Sequence, residues 1–386
     1  MRPRLVRVLG GSAIAAVLLT GAAACSNAND SGSGGAKSDC GYKIAFFGAL
    51  SGGNAQLGIN IRDGAKLAVD QYNAKHGDCK VSLTEKDSGG SPDQAPPLAS
   101  ALAQDNKVLG VVGPAFSGES KVADPVLSEA GVVIITPSAT NPALATQGWK
   151  TFHRGLGNDA SQGPAAARYI KDTLKAQKVY VVDDASEYGK GLADEVKKTL
   201  GSAVVGSDVI QEKQTDFGAL VGKINAAQPD VIFHGGYYRE GAPFLKQLRS
   251  TGSKAVYIGG DGVKDDGLVG GAGKEAAEGA VMTCPCVPAD KIEGSFPADY
   301  KKATGRDPGT YSAEAFDAAN ILLKGIEAGN TTRSKLNDFV NKYEGQGVTT
   351  KFKFQANGEI DPASVAVWAY VVKDGKIVPQ QEIPKG

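Results

Sequence analysis

Histidine and aromatic residues are scarce in this sequence of 386 residues, and its charges cancel. It has three His, only 7% of its residues are aromatic, and its 42 Lys and Arg balance 42 Asp and Glu. A formal net charge of zero argues against a nucleic-acid partner, which would require a basic surface. The histidines, at positions 76, 153 and 234, have neither the spacing of a catalytic triad nor that of a metal site.

Sequence motifs of common enzyme classes are missing as well. No serine lies in a G-x-S-x-G elbow, and no Gly-Lys pair is followed by Ser or Thr, so a P-loop is absent. The segment GAGKEA at 271–276 matches only part of a dinucleotide fingerprint, and no buried strand leads directly into it. Asp183 and Asp184 are neighbours at a strand end, where side chains point to opposite faces. Ser138 would need a base to act as a nucleophile, and none is evident; we therefore predict no enzyme, no metal and no cofactor.

The first 39 residues differ from the rest of the chain. Three arginines precede an apolar run over 8–19, and small residues then lead to Cys25. This pattern predicts an export signal over 1–24, because the run is too short for a stable membrane span. Cys25 resembles the cysteine of a bacterial lipobox, whose acylation would anchor the chain to the outer face of the cell membrane; plain secretion is the alternative. Residues 25–39 have the Gly/Ser/Asn composition of a flexible linker.

Four cysteines follow, an even number that suggests two disulfides in an exported chain. Cys40 and Cys79 each precede a predicted strand, and adjacent parallel strands would place the two thiols side by side. Cys284 and Cys286 are separated by one proline and could close a local ring. A C-x-C metal site is the alternative, but no histidine lies nearby and a second ligand pair is missing. We predict the pairs Cys40–Cys79 and Cys284–Cys286.

From residue 41 onward, strand patterns alternate with helix patterns. Unbroken Val and Ile runs, as in GVVIITPSA, are typical of strands covered on both faces in parallel sheets. The alternation starts again after KTFHRGLGND, which predicts two α/β lobes of similar build. The segment 351–378 is predicted to be a β-meander with turns at Asn357-Gly358 and Asp374-Gly375.

The loops at the carboxyl ends of the predicted strands are where ligands bind in open α/β sheets. These loops are rich in Gly, Ser, Thr, Tyr and Asp and poor in Lys and His. They are GALSGGNAQLG, GPAFSGES, TPSATNP, DDASEYGKG, HGGYYRE and GGDGV. Each polar residue alone could be a helix cap or a surface residue, but six such strand ends together favour a binding cleft.

These loops, with DASQGPAAARYI and FHGGYYREGAPFLKQLR in matching order, resemble the periplasmic leucine/isoleucine/valine-binding proteins of ABC transporters, a type I solute-binding family. The resemblance spans roughly residues 41–386. It implies two doubly wound, Rossmann-like lobes joined by three crossovers, closing on one ligand as a hinged clamp. The implied lobes are 40–158 plus 285–348 and 159–284 plus 349–386.

The function implied by the resemblance is capture of a free amino acid, with a branched side chain, and delivery to ABC permease subunits by a monomeric, membrane-anchored lipoprotein. An amide, a urea-like compound or an aromatic acid is an alternative ligand for the same fold. A role as a ligand sensor is an alternative to transport.

The resemblance also implies ligand contacts by position. Ser117 and Thr140 match residues whose hydroxyl and N–H groups receive the ligand carboxylate. Ser138 matches a residue whose backbone carbonyl accepts from the ligand ammonium. Tyr188 matches a tyrosine that reaches the amine from the other lobe, and Asp261 matches the acidic residue that neutralises it.

The side-chain end of the implied pocket is apolar and aromatic. Tyr237 and Tyr311 match aromatic residues around the ligand side chain, and Leu57 stands where relatives often have an aromatic ring. Phe116 and Ala139 complete the predicted contacts. The chemistry supports the assignment independently, because a zwitterion requires donors at one end and an acceptor at the other, and a buried Asp facing an ammonium forms a charge-assisted pair.

Overall fold

The computed structural model describes residues 40–385, which fold into two α/β lobes. The predicted export signal, the linker and the acylation of Cys25 lie outside the described residues. Among the helices within 40–385, none is both long enough and apolar enough to cross a membrane.

The strands form two main sheets and one small sheet. In chain order they are β1 (Lys43–Gly48), β2 (Ser82–Asp87), β3 (Val108–Val112), β4 (Val133–Thr136), β5 (Phe152–Arg154), β6 (Val179–Asp183), β7 (Val204–Val209), β8 (Val231–Gly235), β9 (Val256–Gly259), β10 (Val281–Cys284), β11 (Glu344–Gln346), β12 (Lys351–Lys353), β13 (Val367–Lys373) and β14 (Lys376–Ile383). The first sheet has the order β2-β1-β3-β4-β5 and the second has the order β14-β13-β10-β9-β8-β6-β7. β3, β4, β6 and β8 are buried along their whole length, as expected for parallel strands covered on both faces.

Helices cover the faces of both sheets, and the predicted fold class is therefore confirmed. In chain order they are α1 (Ala55–Lys75), α2 (Ala95–Gln104), α3 (Ser117–Glu129), α4 (Asp159–Arg168), α5 (Glu187–Leu200), α6 (Gly218–Ala227), α7 (Tyr238–Ser250), α8 (Asp266–Ala272), α9 (Lys274–Ala277), α10 (Phe296–Thr304), α11 (Ser312–Glu327) and α12 (Arg333–Asn341). α11 packs along α1 and touches β3 and β4, so the chain returns to the first lobe after β10. The residue bounds of the two lobes stay a prediction.

Two disulfides lie at chain segments that adjoin strands. Cys40 is joined to Cys79, with their Cα atoms 5.0 Å apart, and these residues precede the paired parallel strands β1 and β2. Cys284, the last residue of β10, is joined to Cys286, with a Cα separation of 5.1 Å.

The predicted β-meander over 351–378 is only partly correct. β13 and β14 form a hairpin around Asp374 and Gly375, both of which have positive φ angles as a tight hairpin turn requires. β12, however, pairs with β11 and not with β13. The segment after β12 also contacts the first sheet, where the Gly358 carbonyl accepts a hydrogen bond from the Arg154 N–H at 2.9 Å. This contact holds the segment after β12 against β5.

The contact between α1 and α11 depends on a glycine. A Cβ atom at Gly64 would lie 2.0 Å from the Ser312 carbonyl oxygen, a backbone atom that cannot rotate away. The absence of a side chain at Gly64 therefore permits the close approach of the two helices that fixes the start of α11.

Gly64→Ala is expected to lower the free energy of unfolding by about 1–3 kcal/mol, because the added methyl group overpacks the helix contact. The matched control is Gly222→Ala in α6, where a Cβ would meet no atom within 4 Å. That substitution should leave stability unchanged or raise it by about 0.5–1 kcal/mol, since alanine is the better helix former. Urea unfolding of both variants measures the difference, and equal effects would contradict this account.

Candidate functional site

A cavity of about 280 Å³ lies between the two lobes, at the carboxyl ends of strands from both sheets. Its lining consists of Leu57, Ile61, Ala115, Phe116, Ser117, Ser138, Tyr188, Tyr237, Asp261, Gly262 and Tyr311. Two other predicted contacts, Ala139 and Thr140, are buried and lie outside this lining. Ile61 and Ala115 are lining residues that the sequence analysis did not name. Ile61 follows Leu57 at helical spacing on α1, a signal that would have indicated it.

The loop after β4 is tied to the loop after β3 by side-chain hydroxyls. Thr136 Oγ1 donates to the Pro114 carbonyl at 2.9 Å and accepts from the Ala139 N–H at 3.0 Å. Ser138 Oγ donates to the Ala115 carbonyl at 2.7 Å. The Ser138 hydroxyl therefore joins two loops of the first lobe.

A buried arginine holds the same loop from behind. Arg154, on β5, is fully buried, and its guanidinium donates to the carbonyls of Ala139 and Asn141. It also forms an ion pair with Glu359, with Nη2 and Oε1 3.0 Å apart. The sequence analysis assigned no role to Arg154. A feature that could have indicated one is the cation in the segment FHRGLG, whose other residues are a histidine, apolar residues and glycines. The Ala139 N–H donates to Thr136 Oγ1 and the Ala139 carbonyl accepts from Arg154, so both backbone polar groups of Ala139 have partners.

Ser117 lines the cavity from the first lobe, and Thr140 is buried outside the lining. Ser117 begins α3, and its Oγ accepts from the Asn141 N–H at 3.2 Å. Thr140 Oγ1 is buried and, within residues 40–385, has no hydrogen-bond partner. The neighbouring Asp159 carboxylate is close enough for the Thr140 hydroxyl to favour its ionised form. A buried hydroxyl without a partner is costly.

The second lobe contributes an acidic centre. Asp261 is 3% exposed, and its Oδ1 accepts from the Tyr188 hydroxyl at 2.8 Å. The Tyr188 oxygen in turn accepts from the Gly262 N–H at 2.9 Å, which fixes the ring. Burial raises the pKa of Asp261, while the neighbouring hydroxyls of Tyr311 and Tyr188 favour its ionised form.

A second buried carboxylate, Asp159, adds to this acidic centre and was not predicted. It begins α4 in the DASQG segment, is fully buried, and its N–H donates to the Thr140 carbonyl at 2.9 Å. Burial and then the charge of Asp261 raise the pKa of Asp159 well above its ordinary value. Since the described cavity lining contains Asp261 but no Lys or Arg, the site is electrostatically suited to a group that carries positive charge.

A cluster of three aromatic rings connects the two lobes at the cavity. The Tyr237 ring of the second lobe lies 5.3 Å from the Phe116 ring of the first lobe and 5.0 Å from the Tyr188 ring, between centroids. Leu57 and Ile61 on α1 add aliphatic surface to the aromatic lining of the cavity. The cavity lining therefore combines one carboxylate, several hydroxyl groups and apolar and aromatic side chains.

A family model described as periplasmic binding protein matches residues 41–376. The chain belongs to the periplasmic binding protein family. This membership agrees with the two lobes and the cavity between them, and it assigns solute binding to the chain.

Relatives of this periplasmic binding protein carry names that refer to branched-chain amino acids. The Leu/Ile/Val-binding protein BraC3 of Rhizobium johnstonii is 32% identical over 348 residues, covering 87% of this chain and 92% of that protein. The Leu/Ile/Val-binding protein of Escherichia coli K12 is 35% identical over 291 residues, covering 74% and 78%. The branched-chain amino acid transporter substrate-binding protein LivJ of Streptococcus pneumoniae, solved with isoleucine, has a TM-score of 0.81 and 27% identity, covering 88% and 99%.

Proposed function

We propose that this periplasmic binding protein captures a free branched-chain amino acid between its lobes and delivers it to an ABC permease, while Cys25 anchors it to the outer face of the cell membrane. The observation that carries the proposal is the buried Asp261 carboxylate, fixed by Tyr188 and facing a cavity whose described lining has no basic side chain. A ligand ammonium compensates such a charge by a charge-assisted hydrogen bond. The names of the relatives support the same ligand class.

The ligand carboxylate is proposed to bind at the opposite side, in the first lobe. Ser117 is the first residue of α3, where free N–H groups and the helix dipole favour an anion. The Thr140 hydroxyl, which lacks a partner within 40–385, supplies a further donor. Arg154 contributes indirectly, because it holds the carbonyls of Ala139 and Asn141 and so fixes the loop that presents Thr140.

The ligand side chain is proposed to lie against the apolar and aromatic side chains of the lining. Leu57, Ile61, Phe116 and Tyr237 offer carbon surface, and their contact with an aliphatic chain removes that surface from water. The cavity is narrow and bounded by residues of both lobes, which favours a small solute.

Lobe closure is proposed to be stabilised by the ligand. The lobes also meet outside the cavity lining, where Lys121 pairs with Glu187 at 2.8 Å and Asn141 Nδ2 donates to the Glu187 carbonyl at 2.6 Å. The exposed ion pair contributes little, so ligand contacts to both lobes provide the main driving force for closure.

A thermal-shift screen tests this function. L-Leucine, L-isoleucine or L-valine at about 100 times its Kd is expected to raise the melting temperature by about 4 °C or more. Two leucine analogues serve as matched controls: 4-methylpentanoate, which lacks the ammonium, and 3-methylbutylamine, which lacks the carboxylate. Both should give no shift. Stabilisation by benzoate, acetamide or urea, with none by the amino acids, would contradict the proposal.

A further inference from the structure

We propose that Lys264 and Thr310 form an interlobe latch that positions Asp261 and Tyr311 against the ligand and thereby slows ligand release. The effect on ligand release rests on the proposed function, because it assumes that the protein binds an amino acid. The latch lies behind the cavity, and neither Lys264 nor Thr310 is part of the cavity lining.

The latch consists of two reciprocal hydrogen bonds between the lobes. The Thr310 hydroxyl donates to the Lys264 carbonyl, and Lys264 Nζ donates to the same hydroxyl oxygen at 3.2 Å. Thr310 precedes α11 in the first lobe, whereas Lys264 follows β9 in the second lobe. The Thr310 hydroxyl thus acts as a donor and as an acceptor toward one residue of the opposite lobe. Both contacts require the lobes to be closed.

On the second-lobe side, the latch acts on the turn that presents Asp261. A 3₁₀ turn spans Asp261–Val263, and the Lys264 N–H closes it by donating to the Asp261 carbonyl at 2.9 Å. Holding Lys264 therefore holds the short turn from which the Asp261 carboxylate reaches the cavity.

On the first-lobe side, the latch acts on a residue with a strained backbone. Tyr311 has φ +67° and ψ +6°, the left-handed region that is unfavourable for a residue with a bulky side chain. Its side chain lines the ligand cavity on one side and, on the other, a larger groove that Lys264 also lines. A strained residue persists only where its surroundings hold it, and the adjacent Thr310 is anchored by the latch.

The latch is braced by the segment that follows β10. Lys264 Nζ lies 4.2 Å from the centre of the Tyr370 ring, and the Tyr370 hydroxyl donates to the Cys286 carbonyl at 2.9 Å. Glu314, on α11, accepts from the Val287 N–H at 3.3 Å. Desolvation lowers the pKa of Lys264 to about 8, while the charge of Glu314 opposes that shift, which agrees with an amine enclosed by these groups.

Thr310→Val tests the latch, because valine keeps the shape of threonine and removes both hydrogen bonds. The dissociation rate of leucine, measured by stopped-flow fluorescence, is expected to rise about tenfold, with the association rate changed less than about twofold. Thr310→Ser, which keeps the hydroxyl, should remain within about twofold of the parent protein. Thr304→Val is the matched control, since the Thr304 hydroxyl donates to the Tyr300 carbonyl at 2.8 Å inside the first lobe.

A readout without ligand separates the latch from the proposed function. Spin labels at Lys66→Cys and Lys198→Cys, exposed sites on α1 and α5, report the distance between the lobes. Thr310→Val should shift the ligand-free distances toward the open form, and Thr310→Ser should not. If no amino acid binds the parent protein, the proposed function fails, and this measurement still decides on the latch. Unchanged distances and dissociation rates in Thr310→Val, or equal effects of Val and Ser, would overturn the inference.

Discussion

Asp261→Asn is expected to weaken leucine binding by about 100-fold or more. Asparagine keeps the volume of the side chain and an oxygen that accepts from the Tyr188 hydroxyl, so only the charge is removed. The loss of one partner from a buried charge pair costs about 2–5 kcal/mol, which corresponds to this factor. Isothermal titration calorimetry with leucine measures the change in Kd.

The stability of the ligand-free protein distinguishes loss of binding from loss of folding. Burial raises the pKa of the Asp261 carboxyl above its value in the unfolded chain. The folded state therefore loses stability as the pH rises from the unfolded pKa of this group to its folded pKa. Asp261→Asn removes this cost, and at neutral pH the variant should be at least as stable as the parent protein. Asp266→Asn, at an exposed carboxylate outside the cavity lining, is the matched control and should bind leucine normally. Near-normal affinity in Asp261→Asn would contradict the proposed role.

The positions of most cavity residues could be predicted from the sequence because they follow from local patterns. Residues such as Ser117, Ser138, Tyr188 and Asp261 lie just after the carboxyl end of a strand, and parallel strands bring such ends to one edge, whereas Leu57, Ile61 and Tyr311 belong to α1 or adjoin α11. The residues that were missed depend on distant contacts. The buried position of Arg154 depends on its ion pair with Glu359, 205 positions further along the chain. The raised pKa of Asp159 depends in part on the charge of Asp261.

The same limit explains the errors in secondary structure. β5 has three residues, of which His153 and Arg154 are polar, so no hydrophobic period marks it as a strand. Its side chains are nevertheless buried, because His153 Nε2 contacts the Asn341 carboxamide at 2.9 Å and Arg154 reaches Glu359. Sequence periodicity reports local burial and does not report which distant element provides it.

Arg154→Met is expected to lower the free energy of unfolding by about 3–5 kcal/mol, the largest change in stability that we predict. The substitution leaves Glu359 buried without its cation and removes the donor from the carbonyls of Ala139 and Asn141. Breaking one side of a buried ion pair has costs of this size because the remaining charge is desolvated and unpaired. Urea unfolding measures the change.

Arg168→Met and a double variant separate this effect from the general cost of losing an arginine. Arg168 donates to the Pro384 carbonyl at 3.1 Å near the surface, and its substitution should change stability by less than about 1 kcal/mol. Adding Glu359→Gln to Arg154→Met removes the unpaired charge and should recover part of the loss, although the two loop carbonyls still lack their donor. Leucine affinity should therefore remain reduced in the double variant, since the loop that presents Thr140 is no longer held. A loss below about 1 kcal/mol in Arg154→Met, or full recovery of affinity in the double variant, would show that the loop is fixed by other contacts.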